Sequence, residues 1–448
     1  MTLLYLPGFI DLSPLTYPEL KNFIWGERVH EGYLPYTGIV DSVAPLNAWF
    51  QGLVELVFGR SLLARHIIAF ILIFLQGAFF GILLIDKKVF SENTYIPSLL
   101  FALLFLFSFD TLSLTGELLG SGVLLFALNK LYKELEFRAQ LDETIFKLGF
   151  FISIASLFSF SFFIFFPGAI ILLILFTRST LRTFLLLTTG FLLPHVLLVS
   201  VYFLLGATDS IWAYYYVPGF SFYDTKLIGG QSMLILSAIP LVFLMLSFVL
   251  LNRESRLTKY QSQLVQLMFL WTLIGFVHAF FTDDFRPQSF ITLIPGLSFF
   301  ITHLFLTIRR KRFLLIGFWV FFIGIVAPYF LNKYRVVDFV SYDELFVKTK
   351  PANVDIKNKR VLILGKEIEG YLDNRLATPF LNWELSANTF EQPDRYKNII
   401  NINRYFERDT PEVIIDSNTL MPKVFERLPQ WSKKYKRTAS GNYTLINN

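Results

Sequence analysis

A chain of 448 residues that is 54% hydrophobic, 17% charged and of mean hydropathy +0.53 lies well outside the soluble norm. Its 52 Phe suit lipid, because Phe inserts readily and carries no polar group to satisfy. With no Cys there is no disulfide or thiolate chemistry, and the five histidines (His30, His66, His195, His278, His303) fall at no metal-binding spacing. The net charge of +6 raises the question of nucleic acid, which the distribution of that charge answers below.

The first ten residues are apolar but too short to span a bilayer. Either an upstream span precedes this sequence or these residues form a partial helix. The first is favoured, since a loop tethered at one end only is costly to order. Residues 16–61 are polar and aromatic and carry Glu19, Glu27 and Asp41. Within them, 46–58 reads as an interfacial helix with Trp49 and Phe50 at headgroup level and Glu55 on the wet side. The alternative is an extension of the next span.

From 62 to 331 the apolar runs predict about ten spans, near 62–85, 95–109, 117–132, 148–160, 162–177, 183–206, 232–251, 264–281, 288–308 and 313–331. The stretch 148–177 is too long for one span and too short for two full ones, so a short hairpin is expected, turning near Ser159 to Ser161. His195 and His278, inside spans, read as buried hydrogen-bonding groups.

Basic residues orient the bundle. One set of loops carries Lys87, Lys88, Lys130, Lys133, Arg138, Lys147, Arg178, Arg182, Arg253, Arg256, Lys259, Arg309, Arg310, Lys311 and Arg312; the alternate loops between spans carry only Lys226 and Arg286. The first set is therefore expected to face the cytoplasm, with 1–61 and 332–448 outside. The positive charge is a topology signal, which argues against a nucleic-acid partner.

After 332 the composition becomes that of a small α/β domain. RVLILG (360–365) and EVIID (412–416) read as buried strands, 393–409 and 421–428 as helices, and 435–446 as a hairpin turning at Ser440-Gly441-Asn442. The further glycines of a dinucleotide fingerprint are missing after RVLILG. The fold class is thus an all-α polytopic membrane bundle (62–331) with a first extracytoplasmic loop (1–61) and a small extracytoplasmic α/β domain (332–448).

Tyr17-Pro18-Glu19, GERVHEG (26–32), Pro35-Tyr36, Asp41, Pro45-Leu46, Phe58-Gly59-Arg60-Ser61 and the late motif DDFRPQSFITLIPGLSFF (283–300) together resemble the GT-C superfamily of integral-membrane glycosyltransferases. The protein O-mannosyltransferase and aminoarabinose-transferase families belong to it, and GERxxxG resembles a further bacterial branch. The sequence departs from the family at Gln288-Ser289, where His-Tyr is frequent, and in keeping only Glu19 of an acidic pair.

The resemblance implies a sugar donor on a polyprenyl phosphate, a carboxylate near the acceptor, and cationic groups at the departing phosphate. Glu19 takes the carboxylate position, or else complements the dipole of a helix capped by Thr16. Asp41, grouped with Glu19 as catalytic, binds sugar hydroxyls, or caps the segment that follows. Glu27 is a substrate-site acid, or a partner for Arg28 or Lys21; Arg28 and Tyr36 accompany it. Glu117, near Asp110, contacts donor or acceptor, or is the first-turn acid of its span with Thr115 as cap. Arg286 grips phosphate, or bridges to its neighbouring aspartates, with Lys226 as the fallback phosphate ligand. The Trp- and Tyr-rich loop 207–230 stacks on sugars or anchors at the interface.

The implied partners are a lipid-linked sugar donor, membrane lipid and an envelope glycan, lipid or protein acceptor at a bacterial inner membrane. No cofactor is expected, and a divalent metal stays open. A non-catalytic scaffold of the same shape in envelope biogenesis is the competing function. A transporter or flippase fits less well, because the spans carry Ser, Thr and Gly and keep their charges at the ends.

Overall fold

The computed structural model describes residues 5, 9, 12–137, 142–177, 179–220, 225–254, 257–334, 340–347, 356–438 and 441–446. Arg138, Arg178, Arg256 and Ser440, used above, lie outside them, as do most of the first ten residues. The chain forms two compact units: Met1–Pro14, Ser61–Val201 and Phe222–Leu345 make the first, and Leu15–Arg60, Tyr202–Ser221 and Phe346–Asn448 the second.

The second unit begins with α1 (Tyr17–His30) and α2 (Pro45–Phe58). Pro18 in the first turn and the Thr16–Glu19 capping box start α1 as the sequence predicts. Ala44 is the N-cap of α2, so Asp41 does not cap it; that expectation is corrected. Gly59, at φ +59, ends α2 before the next helix starts, so 46–58 is a helix of its own and no extension of a span. Its apolar and polar faces are reversed relative to a core helix. Asn47 and Gln51 are buried, with Gln51 Nε2 donating to Asn47 Oδ1 at 3.1 Å. Trp49, Leu53, Leu56 and Val57 are exposed.

The first unit is a helical bundle, with a helix at each predicted span. In order these are α3 (Leu62–Asp86), α4 (Ile96–Leu104), α5 (Gly116–Phe137), α6 (Asp142–Phe158), α7 (Phe165–Phe176), α8 (Leu181–Leu204), α9 (Gly230–Glu254), α10 (Lys259–His278), α11 (Ile294–Thr307) and α12 (Lys311–Lys333). Among the described residues five helical segments are long and apolar enough to cross a membrane: Leu62–Asp86, Leu181–Leu204, Gly230–Leu251, Pro287–Thr307 and Lys311–Lys333. The expected hairpin turns at Ser159, whose backbone is extended, and a 3-10 turn over Phe160–Ile164 leads into α7.

Gly149 and Gly190 let α6 and α8 touch backbone to backbone. A Cβ on Gly149 would lie 2.1 Å from the Leu187 carbonyl, and one on Gly190 2.2 Å from that of Phe146. The two span histidines are buried as expected, His195 Nε2 sharing a hydrogen bond with Ser156 Oγ at 3.0 Å and His278 Nε2 with Ser161 Oγ at 2.9 Å. A short parallel ladder, β1 (Thr225–Lys226) on β2 (Asp284–Phe285), ties two interhelical loops together, with Lys226 opposite Phe285.

The C-terminal part of the second unit contains β3 (Arg360–Ile363), β4 (Arg375–Leu376), α13 (Trp383–Glu391), α14 (Tyr396–Arg408), β5 (Val413–Ile415), α15 (Met421–Arg427), β6 (Tyr435–Arg437) and β7 (Tyr443–Leu445). The sheet runs β4-β3-β5-β7-β6, parallel across β4-β3-β5 and antiparallel from β5 onward. Alternate residues of each strand face opposite ways. Leu362 and Ile414 pack with Phe390, Ile402, Phe406, Val424 and Phe425 of the flanking helices. Val361, Ile363 and Val413 pack on the other side with Leu20, Ile24 and Trp25 of α1 and Ala48 of α2. The N-terminal loop helices therefore cover one face of the C-terminal sheet.

Candidate active site

In the second unit, Glu19, Asp41, Glu27, Arg28 and Tyr36 each have defined partners. Glu19 Oε2 accepts from the Thr16 amide at 3.0 Å and the Thr16 hydroxyl at 2.8 Å. Asp41 is fully buried. Its Oδ2 accepts from Trp25 Nε1 at 2.8 Å, and its Oδ1 from the Ser42 amide and Asn382 Nδ2, each at 2.9 Å, with Lys21 Nζ at 3.4 Å. Glu27 pairs with Arg60, correcting the expected Arg28 or Lys21. The contact is two-pronged, Nε to Oε1 at 2.6 Å and Nη2 to Oε2 at 2.7 Å.

Arg28 is buried and donates to Asp409 at 2.7 Å, with its guanidinium 3.8 Å from the centre of the Tyr33 ring. Arg360 reaches the other oxygen of Asp409 at 2.5 Å. Burial alone would raise the Asp409 carboxyl, but Arg28 and Arg360 outweigh it and hold it below the usual range. Tyr36 sits in the left-handed region at φ +68, its hydroxyl donating to the Val43 carbonyl at 2.8 Å and its ring 5.8 Å from Tyr202. Asp41 and Arg28 tie the loop to the C-terminal part of the unit, through Asn382 and Asp409, while Glu19, Glu27 and Tyr36 hold the N-terminal segment in shape.

In the first unit, three of the sequence candidates come together. Pro287 restricts the residue before it to extended backbone, and Arg286 adopts φ −154, ψ 168 at the start of the 3-10 segment Pro287–Leu293. This sends the Arg286 guanidinium between two carboxylates, Nη2 3.1 Å from Glu117 Oε2 and Nη1 3.7 Å from Asp110 Oδ1. Asp110 is fully buried and Glu117, in the first turn of α5, is partly open.

Gln288 ties the turns together. Its amide donates to Asp110 Oδ2 at 2.9 Å, its Nε2 to the Ser113 carbonyl at 2.7 Å, and its Oε1 accepts from the Thr115 hydroxyl at 2.8 Å. Sequence reasoning met Gln288 only as a departure from a family pattern; nothing local announces it as a hub. Lys226, exposed on β1, lies opposite the residue before Arg286.

Two carboxylates around one guanidinium leave the cluster with a surplus negative charge. Such an arrangement suits a carboxylate that orients or accepts a proton, with the arginine holding it in place, better than it suits an anion-binding arginine. Among the described residues no group of three or more His, Asp or Glu could hold a metal.

No protein-family model matches the chain, and no curated protein matches it in sequence. Its structure resembles that of ArnT from Cupriavidus metallidurans in the apo state, with a TM-score of 0.56 over 99% of this chain and 95% of that one, at 11% identity. The chain has a GT-C fold. The oligosaccharyltransferase of Archaeoglobus fulgidus also aligns, over 98% of this chain and 72% of that one, at 10% identity and a TM-score of 0.47. Both are GT-C glycosyltransferases.

In this GT-C fold an apolar cavity of about 550 Å³ lies along α9 and α10 of the first unit. Met233, Leu241, Phe276, Phe280, Phe285 and Phe290 are among its walls, and its polar side chains are confined to Ser237 and Thr272. Phe285 belongs to β2 and immediately precedes Arg286, so the cavity wall and the charged cluster are consecutive in the chain.

Proposed function

We propose that this protein is a glycosyltransferase that moves a sugar from a polyprenyl-phosphate donor to an envelope acceptor at the outer face of a bacterial inner membrane. The observation that carries the reading is the adjacency of the apolar cavity, walled by Phe285, to the cluster of Arg286, Glu117 and Asp110. A lipid-linked sugar needs that pairing: a dry slot for the tail and polar groups where the tail's phosphate meets water. The GT-C fold supports it, and the charge bias of the loops supports an outer location for the Lys226 and Arg286 turns, the N-terminal loop and the C-terminal domain.

In this mechanism the acceptor heteroatom attacks the anomeric carbon as the bond to the lipid phosphate breaks. The acceptor's proton passes to Glu117, and the electron pair of the broken bond leaves with the polyprenyl phosphate. Arg286 orients Glu117, Asp110 holds Arg286, and exposed Lys226 faces the departing phosphate's charge. Glu19 and Asp41 then act at a distance, by holding the loop in shape.

The scaffold reading draws on one observation: Glu19, Asp41, Glu27 and Arg28 are all engaged in holding the second unit together. Complementation of a deletion strain separates the two. The enzyme reading expects Glu117→Gln to accumulate in the membrane like wild type yet leave the missing glycoconjugate unrestored. Full restoration by both Glu117→Gln and Arg286→Ala would establish the scaffold instead.

A further inference from the structure

Arg286 stands near the middle of a loop closed by two hydrogen-bonded rungs. In the inner rung the Thr282 hydroxyl donates to Ser289 Oγ at 3.0 Å, and Ser289 donates to the Asp284 carbonyl at 2.8 Å. At the base, His278 Nδ1 and Thr292 Oγ1 lie 3.3 Å apart across 14 residues of chain. His278 is fully buried at the end of α10. Its other ring nitrogen, Nε2, is 2.9 Å from Ser161 Oγ, in the turn between α6 and α7.

The same turn reaches the helix of Glu117. Phe162, also fully buried, stacks on the His278 ring with centroids 4.6 Å apart and planes 16° from parallel. Its ring edge fills the space a side chain at Gly120 would need, where a Cβ would lie 2.3 Å from Phe162 Cε2. Gly120 follows Glu117 by about one turn of α5. The Phe160–Ile164 turn therefore touches both carriers of the ion pair, α5 through Phe162 and the Arg286 loop through His278.

One proton per hydroxyl sets the direction of these bonds. Thr292 donates to the Gly275 carbonyl at 3.1 Å, so its oxygen accepts from His278 Nδ1–H. The neutral ring then has Nε2 as an acceptor for the Ser161 hydroxyl, and Ser161 accepts from Ser159 at 2.9 Å. In this tautomer every hydroxyl proton of the chain finds an acceptor.

We propose that His278, held as the Nδ1–H tautomer by Ser161 and Phe162, is a positioning residue for the transfer. It fixes the base of the Arg286 loop against α5 and so sets the 3.1 Å contact of Arg286 with Glu117. The positioning role rests on the glycosyltransferase reading above; the tautomer and the hold on the ion pair do not. A misplacement of about 1 Å at such a pair costs on the order of a hundredfold in rate.

The two ring nitrogens can be tested apart, because the amide nitrogen of Asn falls near Nδ1 and the amide oxygen of Gln near Nε2. His278→Asn keeps the donor to Thr292, whereas His278→Gln keeps the acceptor for Ser161, and both lose the stacking on Phe162. The Arg286→Ala and Glu117→Gln double-mutant cycle is run by unfolding of full-length protein in wild-type and both His278 backgrounds. The coupling is expected to stay above about half its wild-type value with Asn and to fall below it with Gln. Restoration of the glycoconjugate in the deletion strain should follow, falling below about a tenth with Gln. Thr292→Val, which breaks the same rung from the other side, should match Gln, and Thr292→Ser should recover the loss. Solid-state nitrogen NMR of wild type carrying isotope-labelled histidine should show the proton on Nδ1 of His278. A proton on Nε2, equal coupling losses in the Asn and Gln backgrounds, coupling unchanged in both, or no coupling in wild type overturns the proposal. Coupling that follows the expected pattern while Glu117→Gln and Arg286→Ala both restore fully would sink the glycosyltransferase reading and leave the hold on the ion pair standing.

Discussion

Asp110 Oδ2 accepts the backbone amide of Gln288 at 2.9 Å, across 178 residues of chain. The side chain of the same Gln288 grips the other end of the Asp110 turn through Ser113 and Thr115. Gln288→Ala therefore keeps the amide contact but removes two buried side-chain hydrogen bonds, a cost of about 0.5–1.5 kcal/mol each. The expected outcome is a lowered melting temperature in detergent together with a loss of glycoconjugate restoration that Gln288→Asn only partly recovers. A variant that melts early but restores fully would show that Gln288 stabilises the turns without positioning Arg286.

Arg286 is nearly fully buried between Asp110 and Glu117, so removing it leaves two carboxylates without their shared cation. Arg286→Ala is expected to cost about 3–5 kcal/mol of stability. Neutralising one acid first should soften that loss: in a double-mutant cycle with Glu117→Gln the coupling should be about 0.5–3 kcal/mol. Additive losses in thermal or denaturant unfolding would mean the 3.1 Å contact carries no net energy.

The Thr16–Glu19 capping box makes a modest claim on stability. Thr16→Ala is expected to cost about 0.5–2 kcal/mol. Under the proposed mechanism Glu19→Gln should keep glycoconjugate restoration near wild type, with a small fall in melting temperature. Complete loss of restoration at unchanged stability would return the catalytic carboxylate to Glu19.

Asp409 supplies a pH dependence. Its folded carboxyl is held below the ordinary 3.8, so the stabilisation is fully present above that value and is lost as pH falls through the lower, folded one. Wild type should thus lose stability in the acid range below about pH 4, and Asp409→Asn should show a flatter profile there and a lower plateau at neutral pH. Identical profiles from melts at several pH values would dissociate Asp409 from acid unfolding.

Much of the architecture was legible in the one-dimensional pattern, and for local reasons. Apolar runs of Leu, Ile and Phe leave helices as the means of satisfying the backbone in lipid, and a helix stands at each predicted span, five helical segments among the described residues being long and apolar enough to cross. Ser159 turns where the run was too long for one crossing. RVLILG, EVIID and the final hairpin are strands because β-branched runs bounded by polar turns have little else to become. The two-residue β4 and the polar helix α13 were missed, since neither carries a periodic apolar signal long enough to read.

Partners were another matter. Spacing along α1 offered Lys21 and Arg28 to Glu27, whereas Arg60 from beyond α2 took it, and Arg28 went to Asp409, 381 residues away. RVLILG showed a strand apolar on both faces, yet not that the layer covering one face comes from Leu20, Ile24 and Trp25 near the other end of the chain. Hydropathy and charge act residue by residue and so specify spans, strands and expected orientation from the letters alone. Which buried carboxylate meets which cation depends on how distant elements pack. Only that packing set Arg286 between Asp110 and Glu117, one residue from the wall of an apolar slot.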